Sequence, residues 1–90
     1  MNKNFKSAII TGASGGMGFS ISEMLSENHI DVLMIDLKPP QEKLPKNSVF
    51  IEGDVTDKKS LKKIIDDFAK NKGGVNYLVN CAGVLWFDKD

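Results

Sequence analysis

The sequence predicts an α/β protein: a parallel sheet with helices on both faces, in the order β-α-β-β-α-β. Three observations predict it. Four short apolar runs, Ala8-Ile9-Ile10, Val32-Leu33-Met34-Ile35, Val49-Phe50-Ile51 and Tyr77-Leu78-Val79, are continuous rather than alternating, as in strands buried on both faces. Two intervening stretches carry apolar side chains at helical spacing. The first run is followed by a glycine-rich turn, Thr11-Gly12-Ala13-Ser14-Gly15-Gly16-Met17-Gly18, that opens the first of those stretches. The strand order expected is 3-2-1-4. Right-handed crossovers then put ligand-binding groups at the carboxyl ends of the strands.

Each element follows in turn. Residues 6–11 read as a buried strand bounded by Gly12. A helix is expected over 17–28, with Met17, Ile21, Met24 and Leu25 as the stripe lying on the sheet and Ser20, Ser22, Glu23, Ser26 and Glu27 as its polar side. Residues 32–35 form the second strand, ending at Asp36, and Lys38-Pro39-Pro40 stops it, since prolines cannot continue a central strand. A polar connection over 38–47 leads to the third strand, 49–51, ending near Gly53-Asp54. Thr56 is the expected N-cap of a helix over 57–71 with the apolar face Leu61, Ile64, Ile65 and Phe68. Gly73-Gly74 punctuates its end. The fourth strand, centred on 77–79, is closed by Asn80-Cys81-Ala82-Gly83.

Composition narrows the function. Ninety residues make at most one small domain. Twelve lysines balance twelve acids, there is no arginine, and no basic face of the kind that binds nucleic acid is implied. The pairs Lys58/Lys59 and Lys62/Lys63 fall in one helical pattern and read as a solvated face. Cys81 is the single cysteine, which excludes an internal disulfide, fits a reducing cytoplasm, and reads as a small buried residue rather than a nucleophile. No apolar run approaches the roughly 18–20 residues of a membrane span, and the start has no secretory apolar stretch. A cytoplasmic protein with no membrane partner is expected.

The glycine turn carries the chemistry. Between strand and helix, glycines let backbone N–H groups approach a phosphate, and the helix N-terminus adds partial positive charge. The spacing does not match Gly-x-Gly-x-x-Gly literally, and no Lys-Ser or Lys-Thr follows the last glycine, which excludes a P-loop. Three further clusters fall at strand carboxyl ends: 36–38, 53–55 and 80–83. An acid at Asp36 can accept hydrogen bonds from both adenine-ribose hydroxyls and would repel a 2′-phosphate, favouring NAD over NADP. Asp54 can bond the adenine amino group, with the Val55 backbone alongside, or serve as a turn aspartate preparing the Thr56 cap. Asn80 can tie neighbouring strand ends together, and Ala82-Gly83 lets the backbone pass close to a ribose.

Together Thr11-Gly12-x-x-x-Gly16-x-Gly18, Asp36, Asp54-Val55 and Asn80-x-Ala82-Gly83 resemble the N-terminal half of a short-chain dehydrogenase/reductase, over nearly the whole chain. The resemblance implies a Rossmann-type NAD-binding domain over residues 1–90, truncated after the fourth strand. It implies that Gly12, Gly16 and Gly18 shape the pyrophosphate turn, that Ser14 and Met17 line it, the latter through its backbone N–H, with Gly15 also among the cofactor-binding residues, and that Asp36 selects NAD. Asp54 and Val55 would hold adenine, and Asn80, Ala82 and Gly83 the sheet and the nicotinamide-side ribose. It further implies hydride transfer between NAD and a secondary alcohol or ketone, and a homo-oligomer when full length. Cys81 is a mild departure, standing where such proteins often carry another small residue.

The family's serine, tyrosine, and lysine four residues after that tyrosine have no counterpart here. Tyr77 is the one tyrosine, Cys81 stands four residues on, and a packing role is expected for it. His29 falls at a helix-to-strand turn, away from the glycines. Residues 1–90 alone are therefore expected to be inactive, as a fragment cut short. The fourth strand would be left as an open edge, which the tail Val84-Leu85-Trp86-Phe87 fits, either awaiting absent partners or folding back. Two competing readings are a non-catalytic nucleotide-binding or interaction module, and an S-adenosylmethionine-dependent methyltransferase. The latter usually wants an acid just before the glycines, where this chain has Thr11.

Overall fold

The computed structural model describes residues 5–82. Along the chain run β1 (Lys6–Thr11), α1 (Gly16–Glu27), β2 (Ile30–Asp36), β3 (Ser48–Glu52), α2 (Lys58–Lys72) and β4 (Tyr77–Asn80). The strands form one sheet in the order β3-β2-β1-β4, every pair parallel. This is the order expected from right-handed crossovers. Gly83 and the tail Val84-Leu85-Trp86-Phe87 lie outside the described residues.

The period-2 alternation of a strand splits the core in two. Ala8 and Ile10 of β1 and Val32 and Met34 of β2 share one face with Ala13 and Phe19. Ile9, Leu33 and Ile35 share the other with Leu61 and Phe68 of α2. β1 and β2 are buried on both faces and so have no polar side, which is why their runs are continuously apolar; β3 and β4, read from their apolar runs as equally buried, are only partly covered among the described residues. The α2 face holds as read from the sequence: Leu61 and Phe68 are buried, and Ile64 and Ile65 pack beside them. Lys58, Lys59, Lys62 and Lys63 are all exposed.

The α1 face is a correction. Met17 and Met24, expected on the sheet, are 73% and 54% exposed. The buried positions are Gly18, Phe19, Ser22 and Ser26, with Ile21 and Leu25 packed at the margin. Two serines taken for the polar side thus face inward. Their hydroxyls are satisfied locally: Ser22 Oγ donates to the Gly18 carbonyl at 2.8 Å, and Ser26 Oγ donates to the Lys46 carbonyl. Of the four buried positions of α1 only Phe19 carries a large side chain.

The start of α2 is a second correction. The cap is Asp57, not Thr56: Asp57 accepts from the Ser60 N–H at 3.2 Å and from Ser60 Oγ at 2.9 Å. Thr56 is engaged elsewhere, donating through both its N–H and its Oγ1 to Asp54 Oδ1, at 2.9 and 2.7 Å. Gly73, with left-handed backbone, closes the helix.

At the amino ends of the strands, the last turn of α2 is pinned to β2 by a buried ion pair. Lys72 Nζ lies 2.5 Å from Asp31 Oδ2, with side chains 5% and 0% exposed. Among the described residues, Asp31 Oδ1 accepts no hydrogen bond. On the far side of the sheet, β4 pairs with β1 alone among the described residues, and Tyr77 and Leu78 are 43% and 51% exposed. The packing role expected of Tyr77 is therefore not seen, because no further element covers it among those residues.

Candidate functional site

All four strands end at the same edge of the sheet, and the turns that leave them surround a crevice of about 390 Å³. Its first wall is the glycine turn. Gly12 follows β1 with a φ of +68°, and a Cβ there would lie 2.6 Å from the Ala82 nitrogen. Only glycine lets β1 turn this sharply against the exit of β4. At Gly18 a Cβ would lie 2.1 Å from the Gly12 carbonyl oxygen, so the first turn of α1 seats directly on the loop that precedes it. Gly12 and Gly18 are thus required by the protein's own packing.

Gly15 and Gly16 differ. A Cβ at Gly16 meets nothing within 4 Å, and one at Gly15 meets only the Gly12 carbonyl oxygen, at 3.9 Å. Among the described residues, no packing demands glycine at either position. The first turn of α1 also lacks a side-chain cap and carries no acid, whereas α2 supplies its own cap in Asp57. The N-terminal amides of a helix have no intrahelical partner. Open space beside the uncapped amides of a positive helix end suits an anion.

The second wall is the end of β2. Asp36 Oδ2 accepts the Ser14 N–H at 2.9 Å, and Oδ1 accepts the Leu37 N–H at 2.7 Å. The third is the turn after β3, where Gly53, Asp54, Val55 and Thr56 line the crevice. Hydrogen bonds donated by the Thr56 hydroxyl, and then by its N–H, hold the Asp54 carboxyl below the usual carboxylate range. Asp54 is thus a turn aspartate, although it does not prepare a Thr56 cap. The Val55 side chain packs into the α2 face of the core.

The fourth wall is the end of β4. Asn80 Oδ1 accepts Thr11 Oγ1 at 2.7 Å and the Ala82 N–H at 3.0 Å, so one amide oxygen joins β1 to the segment leaving β4. Cys81 is half-buried, packs against the core and lines the crevice beside Ala82.

The sequence-derived residues Gly12, Gly15, Asp36, Asp54, Val55 and Ala82 line this crevice. Ser14, Gly16, Gly18 and Asn80 belong to the turns that build it, Met17 is on the exposed side of α1, and Gly83 lies outside the described residues. Leu37, Gly53, Thr56 and Cys81 also line it; the first two and Cys81 fall in the strand-end clusters 36–38, 53–55 and 80–83 without a binding role of their own, and Thr56 is read from the sequence only as a cap. Leu37 carried a signal: a lone apolar residue between the strand-end acid and Lys38-Pro39-Pro40, 60% exposed in the structure.

Two roomier hollows lie elsewhere. One, of about 660 Å³, sits near Glu23, Glu27 and His29 at the opposite end of the sheet. There His29 contacts the Phe5 ring, at a centroid distance of 5.4 Å, far from the glycine turn. The other, of about 420 Å³, lies between β3 and α2. Neither brings glycines, bare amides and a strand-end carboxylate together, so size alone does not mark the site. No described helix is long and apolar enough to cross a membrane.

Comparison with known proteins agrees with this fold. A family model described as short chain dehydrogenase matches residues 6–90. The L-2,3-butanediol dehydrogenase of Corynebacterium glutamicum is 35% identical over 89 residues, 88% of this chain and 34% of the relative. The ligand-free aldohexose dehydrogenase of Thermoplasma acidophilum superposes with a TM-score of 0.79 at 33% identity, over 97% of this chain and 33% of that one. A short chain dehydrogenase from Leptospira borgpetersenii with bound NAD+ gives a TM-score of 0.79 at 27% identity, over 93% of this chain and 34% of that one. The chain therefore spans about a third of the length of the proteins it matches.

Proposed function

The chain belongs to the short-chain dehydrogenase family, and on that premise we propose that it is the cofactor-holding domain of an NAD-dependent oxidoreductase acting on a secondary alcohol or ketone. The observation that carries the reading is the first crossover, where Gly15 and Gly16 leave open space beside the uncapped N-terminus of α1. The residues present fit a dinucleotide. Main-chain amides of the glycine turn hold the diphosphate. The Asp36 carboxylate takes the adenosine ribose hydroxyls and repels a 2′-phosphate, which favours NAD over NADP. Asp54 and the Val55 backbone hold adenine, and Asn80 and Ala82 keep the β4 exit close to the nicotinamide-side ribose.

Bound NAD supplies the hydride chemistry; the chain's own contribution is to bind and orient it. The Leptospira relative holds NAD+, and the Corynebacterium relative is named for a secondary diol, which supports the cofactor and the substrate class. Residues 1–90 alone turn nothing over, because Tyr77 has Cys81 rather than lysine four residues on. Calorimetric titration with NAD, NADP and S-adenosylmethionine tests the reading. NAD is expected to saturate one site, with NADP at least roughly tenfold weaker, which is about 1.4 kcal/mol. Uptake of S-adenosylmethionine in place of NAD would replace this reading with the methyltransferase one.

A further inference from the structure

We propose that Asp36 is also a positioning residue: its carboxylate clasps the glycine turn to the end of β2 and holds the diphosphate cradle in shape before any cofactor arrives. The proposal rests on the cofactor reading above and deepens it. Ser14 is tied to the end of β2 at both its backbone and its side chain. Its N–H donates to Asp36 Oδ2 at 2.9 Å, and its hydroxyl donates to the Lys38 carbonyl. The neighbouring Ala13 N–H donates to the Ile35 carbonyl at 3.2 Å. On its other oxygen Asp36 receives the Leu37 N–H at 2.7 Å, which fixes the carboxylate plane from its own strand end.

Ser14 and Asp36 are 22 residues apart, so this is a tertiary staple and not a local turn. What it staples is the least constrained part of the cradle. Ser14 is followed by Gly15 and Gly16, which have no side chains to pack; an added Cβ would meet only the Gly12 carbonyl oxygen at Gly15 and nothing within 4 Å at Gly16. Glycine loses more conformational freedom on ordering than any other residue. A cradle that became ordered only on binding would lose that entropy from its affinity. Hydrogen bonds to an ionised acceptor are the stronger kind, and here they order the turn beforehand.

The clasp does not prevent the carboxylate from reading the sugar. Two oxygens offer about four acceptor positions. One N–H on each leaves one position on each for a ribose hydroxyl. Sugar recognition and diphosphate binding therefore share one side chain, and a change at Asp36 reaches both.

The test compares wild type with Asp36→Ala, Asp36→Asn and Ser14→Ala in the full chain, by amide hydrogen exchange and by titration with NAD, NADP and inorganic pyrophosphate. In Asp36→Ala, exchange at the Ser14 N–H of the free protein is expected to rise roughly tenfold or more. The central amides of β1 keep their rates, which shows that the fold is intact. Pyrophosphate, which has no sugar, should weaken along with NAD. Asp36→Asn, isosteric and with one acceptor oxygen, should fall between. Ser14→Ala keeps its N–H and Asp36 but loses the bond to the Lys38 carbonyl; NAD and NADP should weaken by the same factor.

The proposal is overturned if Asp36→Ala leaves Ser14 exchange at the wild-type rate. It is equally overturned if pyrophosphate binds variant and wild type alike while NAD alone suffers, for then Asp36 reads only the sugar. A wild type that takes up neither NAD nor pyrophosphate overturns the cofactor site itself. The exchange rates, which need no ligand, distinguish that failure from failure of the clasp.

Discussion

Gly16 and Gly18 stand two residues apart, and the structure gives opposite expectations for adding a methyl group at each. At Gly16 the new Cβ meets nothing within 4 Å. Glycine in a helix is less stable than alanine by roughly 0.5–1 kcal/mol, so Gly16→Ala should leave stability unchanged or raise it by up to that amount. A chain of this length has a total stability of about 5–13 kcal/mol, and each kcal/mol moves Tm by about 4–8 °C. The gain is therefore visible. The same methyl occupies the space that the proposed function gives to the diphosphate, so on that proposal NAD affinity should fall roughly tenfold or more, about 1.4 kcal/mol. At Gly18 the Cβ would lie 2.1 Å from the Gly12 carbonyl oxygen and 2.9 Å from the Ala13 Cα, both backbone. Overpacking of that kind costs about 1–3 kcal/mol, so Tm should drop by about 5–20 °C. Thermal unfolding followed by circular dichroism reads stability, and calorimetry reads NAD. Wild-type NAD affinity in Gly16→Ala would refute the cradle. A Gly18→Ala chain as stable as wild type would refute the packing argument.

Three further outcomes are expected. Lys72→Met strands the buried Asp31 carboxylate and should cost about 3–5 kcal/mol in urea unfolding, while the double change Asp31→Leu/Lys72→Met should restore most of it; a double variant no better than the single one contradicts this. Thr11→Val removes the donor to Asn80 and should cost about 0.5–1.5 kcal/mol, with faster amide exchange at Ala82; unchanged exchange would dissociate Asn80 from the β4 exit. Hydrogen bonds from Ser60, its N–H first, hold the Asp57 carboxyl below its ordinary 3.8. The cap is thus at full strength above the ordinary carboxylate range and is lost as pH falls through the lowered value. An NMR titration placing Asp57 at or above 3.8, or an Asp57→Ala chain with an unfrayed α2, would contradict it.

What the sequence made legible, and what it hid, follows from burial. Strands buried on two faces must be apolar throughout, so β1 and β2 announce themselves. The α2 stripe was readable because a helix with one solvated face separates its lysines from Leu61, Ile64, Ile65 and Phe68. The face of α1 was not, because three of its four buried positions, Gly18, Ser22 and Ser26, are small or polar residues, while Met17 and Met24 face out. The cap was ambiguous because Thr56 and Asp57 are both good cap residues, and only Asp54's capture of the Thr56 hydroxyl decides between them. The ion pair between Asp31 and Lys72 joins residues 41 apart, and isolated charges read as solvated until the fold brings them together. At the site, the glycines, Asp36, Asp54 and Asn80 were legible by type and spacing. Gly53 and Cys81 were placed at the right edge by the strand-end clusters 53–55 and 80–83, but their residue types disclose no binding role.

The contact between Gly12 and Ala82 bears on protein engineering. A Cβ on Gly12 would collide with the main chain of residues 81 and 82, so the two loops form a single mould cast from segments some seventy positions apart. A chimera that imports a foreign glycine turn without the matching stretch after β4 inherits a steric mismatch at the cofactor's doorstep. Recombination breakpoints between residues 12 and 82 are therefore tolerated only where both parents share that contact.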